Sequence, residues 1–263
     1  MPFRATSEEP TPAVSPTPSI ACSWPPAAQN VSLHPGEVHV WCAAQGSFPQ
    51  QLANFCSAIS TAELDRAGRF RFPAHRDRYI ARHGILRLIL GRYLDQDPGR
   101  LEFERGKFGK PSLKNNPALH FNDSHSGELA LFAFTTLCPI GVDIECLRPI
   151  PEFENIAAQY FCSREIELMR LLPPEKRMAA FYSCWTGKEA YLKATGEGIS
   201  EGLDKVEVIL DENLCAIALH VPGDPHANWS LQSFSPAPGY VGAVVLQGYI
   251  PPVSHWQFPS QGA

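Results

Sequence analysis

No stretch of this sequence approaches the roughly 18 consecutive apolar residues that crossing a bilayer requires. The first residues carry Arg4 but no apolar segment of signal-peptide length before the prolines begin, so secretion is unsupported and a cytoplasmic location is expected. Eight cysteines are scattered with no C-x-x-C pair, which excludes a dense disulfide framework and leaves reduced, packing cysteines as the expectation. Nine histidines include no H-E-x-x-H or similar spacing, which argues against zinc. The chain lacks a positive excess: its formal charge is −5, which disfavours nucleic acid as a partner. No G-x-S-x-G elbow is present, and the one glycine-punctuated basic turn lacks the Lys-Ser/Thr ending of a P-loop.

What is present begins with a leader. Residues 1–30 are rich in Pro, Ser, Thr and Ala and read as disordered. At 263 residues the chain can bury one large core or two modest ones, and we expect two α+β halves, 31–147 and 148–250, with a tail at 251–263 that carries no signal. Val38, Val40 and Cys42 alternate with polar or aromatic neighbours as in a half-buried strand. Ser60 with Glu63 forms a capping box for a short helix reaching Gly68, and a longer helix follows over about 74–94. Leu129 to Thr135 and Ile140 to Glu145 read as a hairpin-like pair across Cys138-Pro139. Ser163 is the expected cap of a helix to about Leu172, and a second long helix spans about 175–194, ended by Gly196. Lys205–Leu210, Trp229–Phe234 and Tyr240–Tyr249 read as further strands.

The chemistry gathers in two stretches. Asp143 and Glu145 stand two apart on a strand and so point to one side. In the second long helix, the four-residue steps from Trp185 to Glu189 to Lys193 put those side chains on one face, with Lys188 beside them. If that helix crosses the strand, three carboxylates converge, and they cannot all ionise without a cation. Oxygen ligands suit Mg2+, with Mn2+ possible, and Mg2+ usually completes its shell with waters and substrate phosphate oxygens. Diphosphate chemistry is thus indicated, and Lys188 and Lys193 are expected to offset the remaining negative charge. Taken alone, Asp143 and Glu145 would pass for a surface pair, and Glu189 with Lys193 for a solvated i,i+4 pair worth about 0.2–0.5 kcal/mol. Trp185 on the same face speaks against full solvation.

A second concentration of charge lies upstream. Arginines 66, 69, 71, 76, 78, 82, 87 and 92 face a single acid, Asp77, over that span. The turn Arg105-Gly106-Lys107-Phe108-Gly109-Lys110-Pro111 could approach a phosphate, and the strand from Leu119 runs into Ser124-His125-Ser126-Gly127, read as a polar turn.

Gly141-Val142-Asp143-Ile144-Glu145, followed by Trp185-Thr186-Gly187-Lys188-Glu189-Ala190-Tyr191-Leu192-Lys193, resembles the 4′-phosphopantetheinyl transferase superfamily, in its long, surfactin-synthetase-activating type. Phe108-Gly109-Lys110-Pro111, Phe121-Asn122-Asp123-Ser124-His125-Ser126-Gly127 and Arg66-Ala67-Gly68-Arg69-Phe70 are similar to upstream motifs of that family in the right order. The resemblance covers about Glu63 to Gly202. It implies a pseudodimeric α+β fold with the active site between the halves. It also implies transfer of the phosphopantetheine arm of coenzyme A to a serine of an apo acyl or peptidyl carrier protein, releasing adenosine 3′,5′-bisphosphate. Asp143, Glu145 and Glu189 would hold Mg2+, and Glu189 or a metal-bound water would take the serine proton. Lys193 would meet the phosphates. Arg66, Arg105, Lys110, Ser124 and His125 would bind coenzyme A, with Asn122 shaping the turn. Asp123 departs from the family pattern, which has an apolar residue there, and an added acid beside a phosphate weakens binding unless it points away.

The expectation is therefore a monomeric Mg2+-dependent phosphopantetheinyl transferase. Two alternatives stand beside it: another Mg2+-dependent phosphotransferase or pyrophosphate hydrolase on the same acids, and a non-catalytic carrier-binding homologue.

Overall fold

Two long helices, each opened by a proline at its first turn, set the frame of the computed structural model, which describes residues 24–27, 31–45, 51–196, 202–222 and 228–259. The expected leader lies outside these residues apart from 24–27. In the first half the order is β1 (Val38–Ala44), α1 (Leu52–Ala58), α2 (Thr61–Ala67), α3 (Pro73–Leu94), a 3-10 turn (Pro98–Arg100), the hairpin β2 (Phe103–Arg105) and β3 (Pro111–Leu113), then β4 (His120–Ser126) and β5 (Leu129–Thr135). The second half repeats it: β6 (Ile140–Cys146), α4 (Phe153–Tyr160), α5 (Ser163–Leu171), α6 (Pro174–Thr195), a 3-10 turn (Leu203–Lys205), the hairpin β7 (Glu207–Leu210) and β8 (Ala216–His220), then β9 (Trp229–Phe234) and β10 (Tyr240–Gln247). Strand pairing repeats as well, with sheet orders β1-β5-β4 and β6-β10-β9. The expected pseudodimer of α+β halves is the observed architecture.

Local chemistry explains the repeated elements. Proline fits the first helical position because its missing N–H would have no intrahelical partner. Both short second helices start from a capping box: Ser60 with Glu63, and Cys162 with Glu165. The cap of α5 is thus Cys162 and not the expected Ser163, because Glu165, three residues on, returns a carboxylate oxygen to the Cys162 N–H at 2.8 Å. Gly196 ends α6 in the left-handed conformation at φ 73°.

Alternation along the strands sorts side chains into three cores. Trp41, Ala43, Phe132 and Phe134 pack under α3, and Val241, Ala243 and Val245 pack under α6. Val38, Val40, Val142, Ile144 and Val244 meet between the halves. β1 is therefore buried on both faces rather than half-buried, since one face meets α3 and the other meets the second half.

Two other expectations change. β5 pairs with β1 and β4, whereas β6 pairs with β10, so the chain leaves one sheet at Cys138-Pro139 and enters the other without forming a hairpin. The boundary between the sheets accordingly falls before Ile140 rather than at 147. The tail read as carrying no signal contains β11 (Val253–Gln257), which runs parallel to β1 and places Trp256 beside Trp41.

Candidate active site

Helix α6 approaches β6 at backbone range because Gly141 has no side chain: a Cβ there would lie 1.9 Å from the Ala190 carbonyl oxygen. This close crossing brings the acids together. Asp143, Glu145, Glu189 and Lys193 line one cavity of about 410 Å3, with Trp185 at its wall. From the first half, Arg82 and the β4 residues Asp123, Ser124 and His125 complete it.

β4 grips β6 through alternate side chains. The Asn122 side-chain oxygen accepts from the Val142 N–H at 2.9 Å, the Ser124 hydroxyl donates to Asp143 Oδ1 at 2.7 Å, and Ser126 donates to Glu145 Oε2 at 2.9 Å. Ser126 Oγ also accepts from the Cys146 N–H at 3.0 Å. The polar run expected to be a turn is thus the end of a strand, with Gly127 making the turn at φ 55°. Period two on β4 was the signal for Ser126, which sequence reasoning left out.

The electrostatics are those of acids short of cations. Asp143 is 4 % exposed; Lys193 Nζ donates to its Oδ1 at 2.7 Å, while its Oδ2 is buried with no hydrogen-bond partner. Burial first, and then the charge of Asp143, push the Glu145 and Glu189 carboxyls up to about 7. For Lys193 burial acts to lower the amine, but the charge and hydrogen bond of Asp143, with Glu189 and Asp123, outweigh it and leave the amine above its usual value. Loss of water contact and the neighbouring Arg82 hold the His125 imidazole down to about 4, hence neutral.

The donor chemistry fits a hard divalent cation. Two carboxyls with raised affinity for protons and one orphaned carboxylate oxygen lack positive charge, and Mg2+ needs few protein ligands. The fit is one of chemistry and not of a closed cage: among the described residues no three Asp, Glu, His or Cys side chains stand close enough to enclose a metal as they lie. Lys193 and Ser124 occupy the Asp143 oxygen that convergence would otherwise offer.

Asp123 does not point away from the site. It pairs with Arg82 at 3.6 Å, and both residues also line an adjoining cleft of about 320 Å3. Arg66 and Arg105 stand in that cleft with Tyr79 and His83, the Arg66 guanidinium 5.8 Å from the centre of the Tyr79 ring. Arg105 donates to the Gly109 carbonyl at 3.0 Å.

Two of the expected site cations line neither the acid cavity nor the arginine cleft. Lys188 is fully buried on another side of α6, where it pairs with Glu165 at 2.9 Å and donates to the carbonyls of Leu203, at 2.8 Å, and Val206. One residue of helix turns the side chain through about 100°, which separates it from Glu189. Lys110 Nζ does not line the acid cavity but donates to the carbonyls of Ile140, at 3.0 Å, and Ala194, at 2.9 Å. All seven cysteines among the described residues are free, in keeping with a reduced set. No helix of the described residues is long and apolar enough to cross a membrane.

Comparison with known proteins follows the same division of the chain. Residues 139–245 match the family model of the 4′-phosphopantetheinyl transferase superfamily, and residues 46–136 match the model of the 4′-phosphopantetheinyl transferase N-terminal region. The 4′-phosphopantetheinyl transferase HetI of Nostoc sp. is 41% identical over 230 residues, covering 86% of this chain and 94% of HetI. The 4′-phosphopantetheinyl transferase Sfp of Bacillus subtilis is 30% identical over 190 residues, covering 72% of this chain and 83% of Sfp. A putative 4′-phosphopantetheinyl transferase of Synechocystis sp. is 37% identical over 185 residues, covering 69% and 74%. With its strand acids, its helix acid and its duplicated frame, the chain belongs to the 4′-phosphopantetheinyl transferase superfamily.

Proposed function

We propose that this protein transfers the 4′-phosphopantetheine arm of coenzyme A to a serine of an apo acyl or peptidyl carrier protein, with Mg2+ or Mn2+ held by Asp143, Glu145 and Glu189. The observation that carries the reading is the continuity of two chemistries: the acid cavity and the arginine cleft share Arg82 and Asp123 as a common wall. A coenzyme A molecule has the matching polarity, with a diphosphate for the metal and Lys193 and a phosphorylated adenosine for Arg66 and Arg105. Ser124 and His125 line the acid cavity beside Asp123. The bound metal supplies charge neutralisation at the diphosphate.

The chain's own residues do the rest. Lys193, kept protonated by Asp143 and Glu189, neutralises charge that grows on the diphosphate as the leaving group departs. Glu189, whose carboxylate lines the acid cavity, is the candidate acceptor of the serine proton. The serine oxygen bonds to the phosphorus carrying pantetheine, the bond from that phosphorus to the bridging oxygen breaks, and adenosine 3′,5′-bisphosphate leaves with that oxygen. The enzyme acts as a monomer in this reading, because both halves of the frame come from one chain.

Intact-mass measurement of a panel of apo carriers, incubated with coenzyme A and Mg2+, tests the reading. A mass gain of one phosphopantetheine on a carrier serine is expected. Release of adenosine 3′,5′-bisphosphate with no carrier gaining mass would replace transfer by hydrolysis, and no consumption of coenzyme A with any carrier would leave a binding protein.

A further inference from the structure

β6 is the edge strand of its sheet on the side away from β10, and its outward backbone groups need partners from somewhere. Side chains of the first half provide them. Asn122 takes the Val142 N–H, Ser126 takes the Cys146 N–H, and Lys110 donates to the Ile140 carbonyl at 3.0 Å. Ile140, Val142 and Cys146 are even numbers of residues apart along β6, so they share one edge.

Lys110 differs from the other two because it holds a second segment. Its Nζ donates to the Ala194 carbonyl at 2.9 Å, in the last turn of α6, where carbonyls have no helical partner and the helix dipole favours a cation. Ala194 follows Lys193 directly, and Ile140 lies three residues before Asp143. The lysine stem packs at Gly196, where an added Cβ would lie 3.4 Å from Lys110 Cδ. One ammonium group from the β2–β3 hairpin therefore joins the strand that carries Asp143 to the helix that carries Lys193.

We propose that Lys110 is a positioning residue for the transfer: by tying the end of α6 to the start of β6, it fixes the Lys193–Asp143 contact and does not bind coenzyme A itself. The inference rests on the transferase reading above. Burial holds this amine down to about 8, in keeping with a cation withdrawn from water and held by carbonyls rather than extended to a solvated phosphate. The 2.7 Å pairing of Lys193 with Asp143 depends on where the helix end sits, and small misplacements of catalytic groups lower rates steeply.

The test is the split between kcat and the KM for coenzyme A in Lys110→Met, Lys110→Gln and Lys110→Arg, assayed by carrier mass gain. Lys110→Met is expected to lower kcat by about 100-fold with the coenzyme A KM near wild type. Lys110→Arg, which can still donate to two carbonyls, should recover most of the rate, and Lys110→Gln should fall between. Should Lys110→Met fail to fold, Lys110→Gln carries the same expected split, with its fold checked by thermal unfolding. A raised KM with unchanged kcat would return Lys110 to the coenzyme A site, and wild-type kinetics in Lys110→Met would end the positioning role. Absence of transfer by the wild-type protein would instead count against the transferase reading.

Discussion

Arg87 in α3 and Lys188 in α6 occupy the same place, counted from the proline that opens each helix, and they make the same contacts. Arg87 pairs with Glu63 at 2.7 Å and donates to the carbonyls of Pro98 and Leu101. Lys188 pairs with Glu165 at 2.9 Å and donates to those of Leu203 and Val206. Each acid belongs to a capping box, and each carbonyl pair belongs to a 3-10 turn or its end. One position further along each helix the resemblance stops: Leu88 stands where α6 has Glu189. Arg92 matches Lys193 in position, and Trp41 and Ala43 in β1 match Asp143 and Glu145 in β6. In the first half the cation lies 5.7 Å from the centre of the Trp41 ring, whereas in the second it pairs with Asp143 at 2.7 Å. Ion pairs that both halves share hold the frame; the acids that only the second half has line the candidate site.

The largest effect expected from this contrast is on transfer. Glu189→Gln or Asp143→Asn should lower the rate of carrier mass gain by roughly 10²–10³-fold or more, because each removes a charge from the proposed diphosphate site. Leu88→Gln, at the matching place in α3, should leave the rate near wild type while lowering stability. The fold should survive the acid changes, since a buried acid cluster opposes stability. Wild-type transfer by Glu189→Gln would remove that carboxylate from the site.

Next in size are the frame charges. Lys188→Met leaves Glu165 buried without its cation and should destabilise the protein by about 3–5 kcal/mol in chemical denaturation. Arg87→Met should lose less, because the side chain of Glu63 is 18 % exposed and that of Glu165 only 1 %. A Lys188→Met protein of normal stability but weakened coenzyme A binding would reassign Lys188 from frame to site. A smaller effect is expected at the arginine cleft. Arg66 is exposed, so Arg66→Ala should weaken coenzyme A binding by about tenfold, the low end for a hydrogen bond to a charged group, with saturated turnover retained. Unchanged affinity by calorimetry would take Arg66 out of the cleft's function.

The same contrast explains which parts were legible in the sequence. Asp143, Glu145, Glu189 and Lys193 could be placed on one cavity because period two on a strand and four-residue steps on a helix fix relative direction without knowledge of the partner element. Lys188 could not be placed, since its direction follows from Glu165 on a different helix, and adjacent charges look alike in a linear pattern. Comparing Ser60 and Glu63 with Cys162 and Glu165, each followed at nearly equal distance by a cation, would have exposed both the frame pairs and the duplication. The two carbonyl contacts of Lys110 were hidden for a related reason: in a basic turn, a lysine that caps a sheet edge and one that binds phosphate have the same sequence. The unforeseen helices α1 and α4 are short, seven and eight residues, below the length at which a helix stands on its own. β11 has no partner near it in sequence; its register on β1 arises only when the chain ends meet.

The smallest expected effect sharpens the comparison through proton linkage. Glu145 and Glu189 are raised from an ordinary value near 4.5 to about 7, so between those pH values the folded protein binds protons that the unfolded chain has released. Stability attributable to the two acids is therefore full below about pH 4.5 and declines as pH rises through 7, the reverse of a salt-bridged carboxylate. Ala43 and Leu88, their counterparts in the first half, do not titrate, so the contribution of these two acids has no match there. The proposed divalent cation would bind the ionised acids and so compete with those protons. Millimolar Mg2+ should accordingly raise the melting temperature more at pH 8 than at pH 5, each kcal/mol recovered giving about 2–4 °C in a chain of this size. Glu189→Gln should reduce both the decline and the Mg2+ response, and Leu88→Gln should reduce neither. An Mg2+ response equal at the two pH values would mean that the ion binds outside these acids, and the acids that only the second half carries would lose their proposed metal.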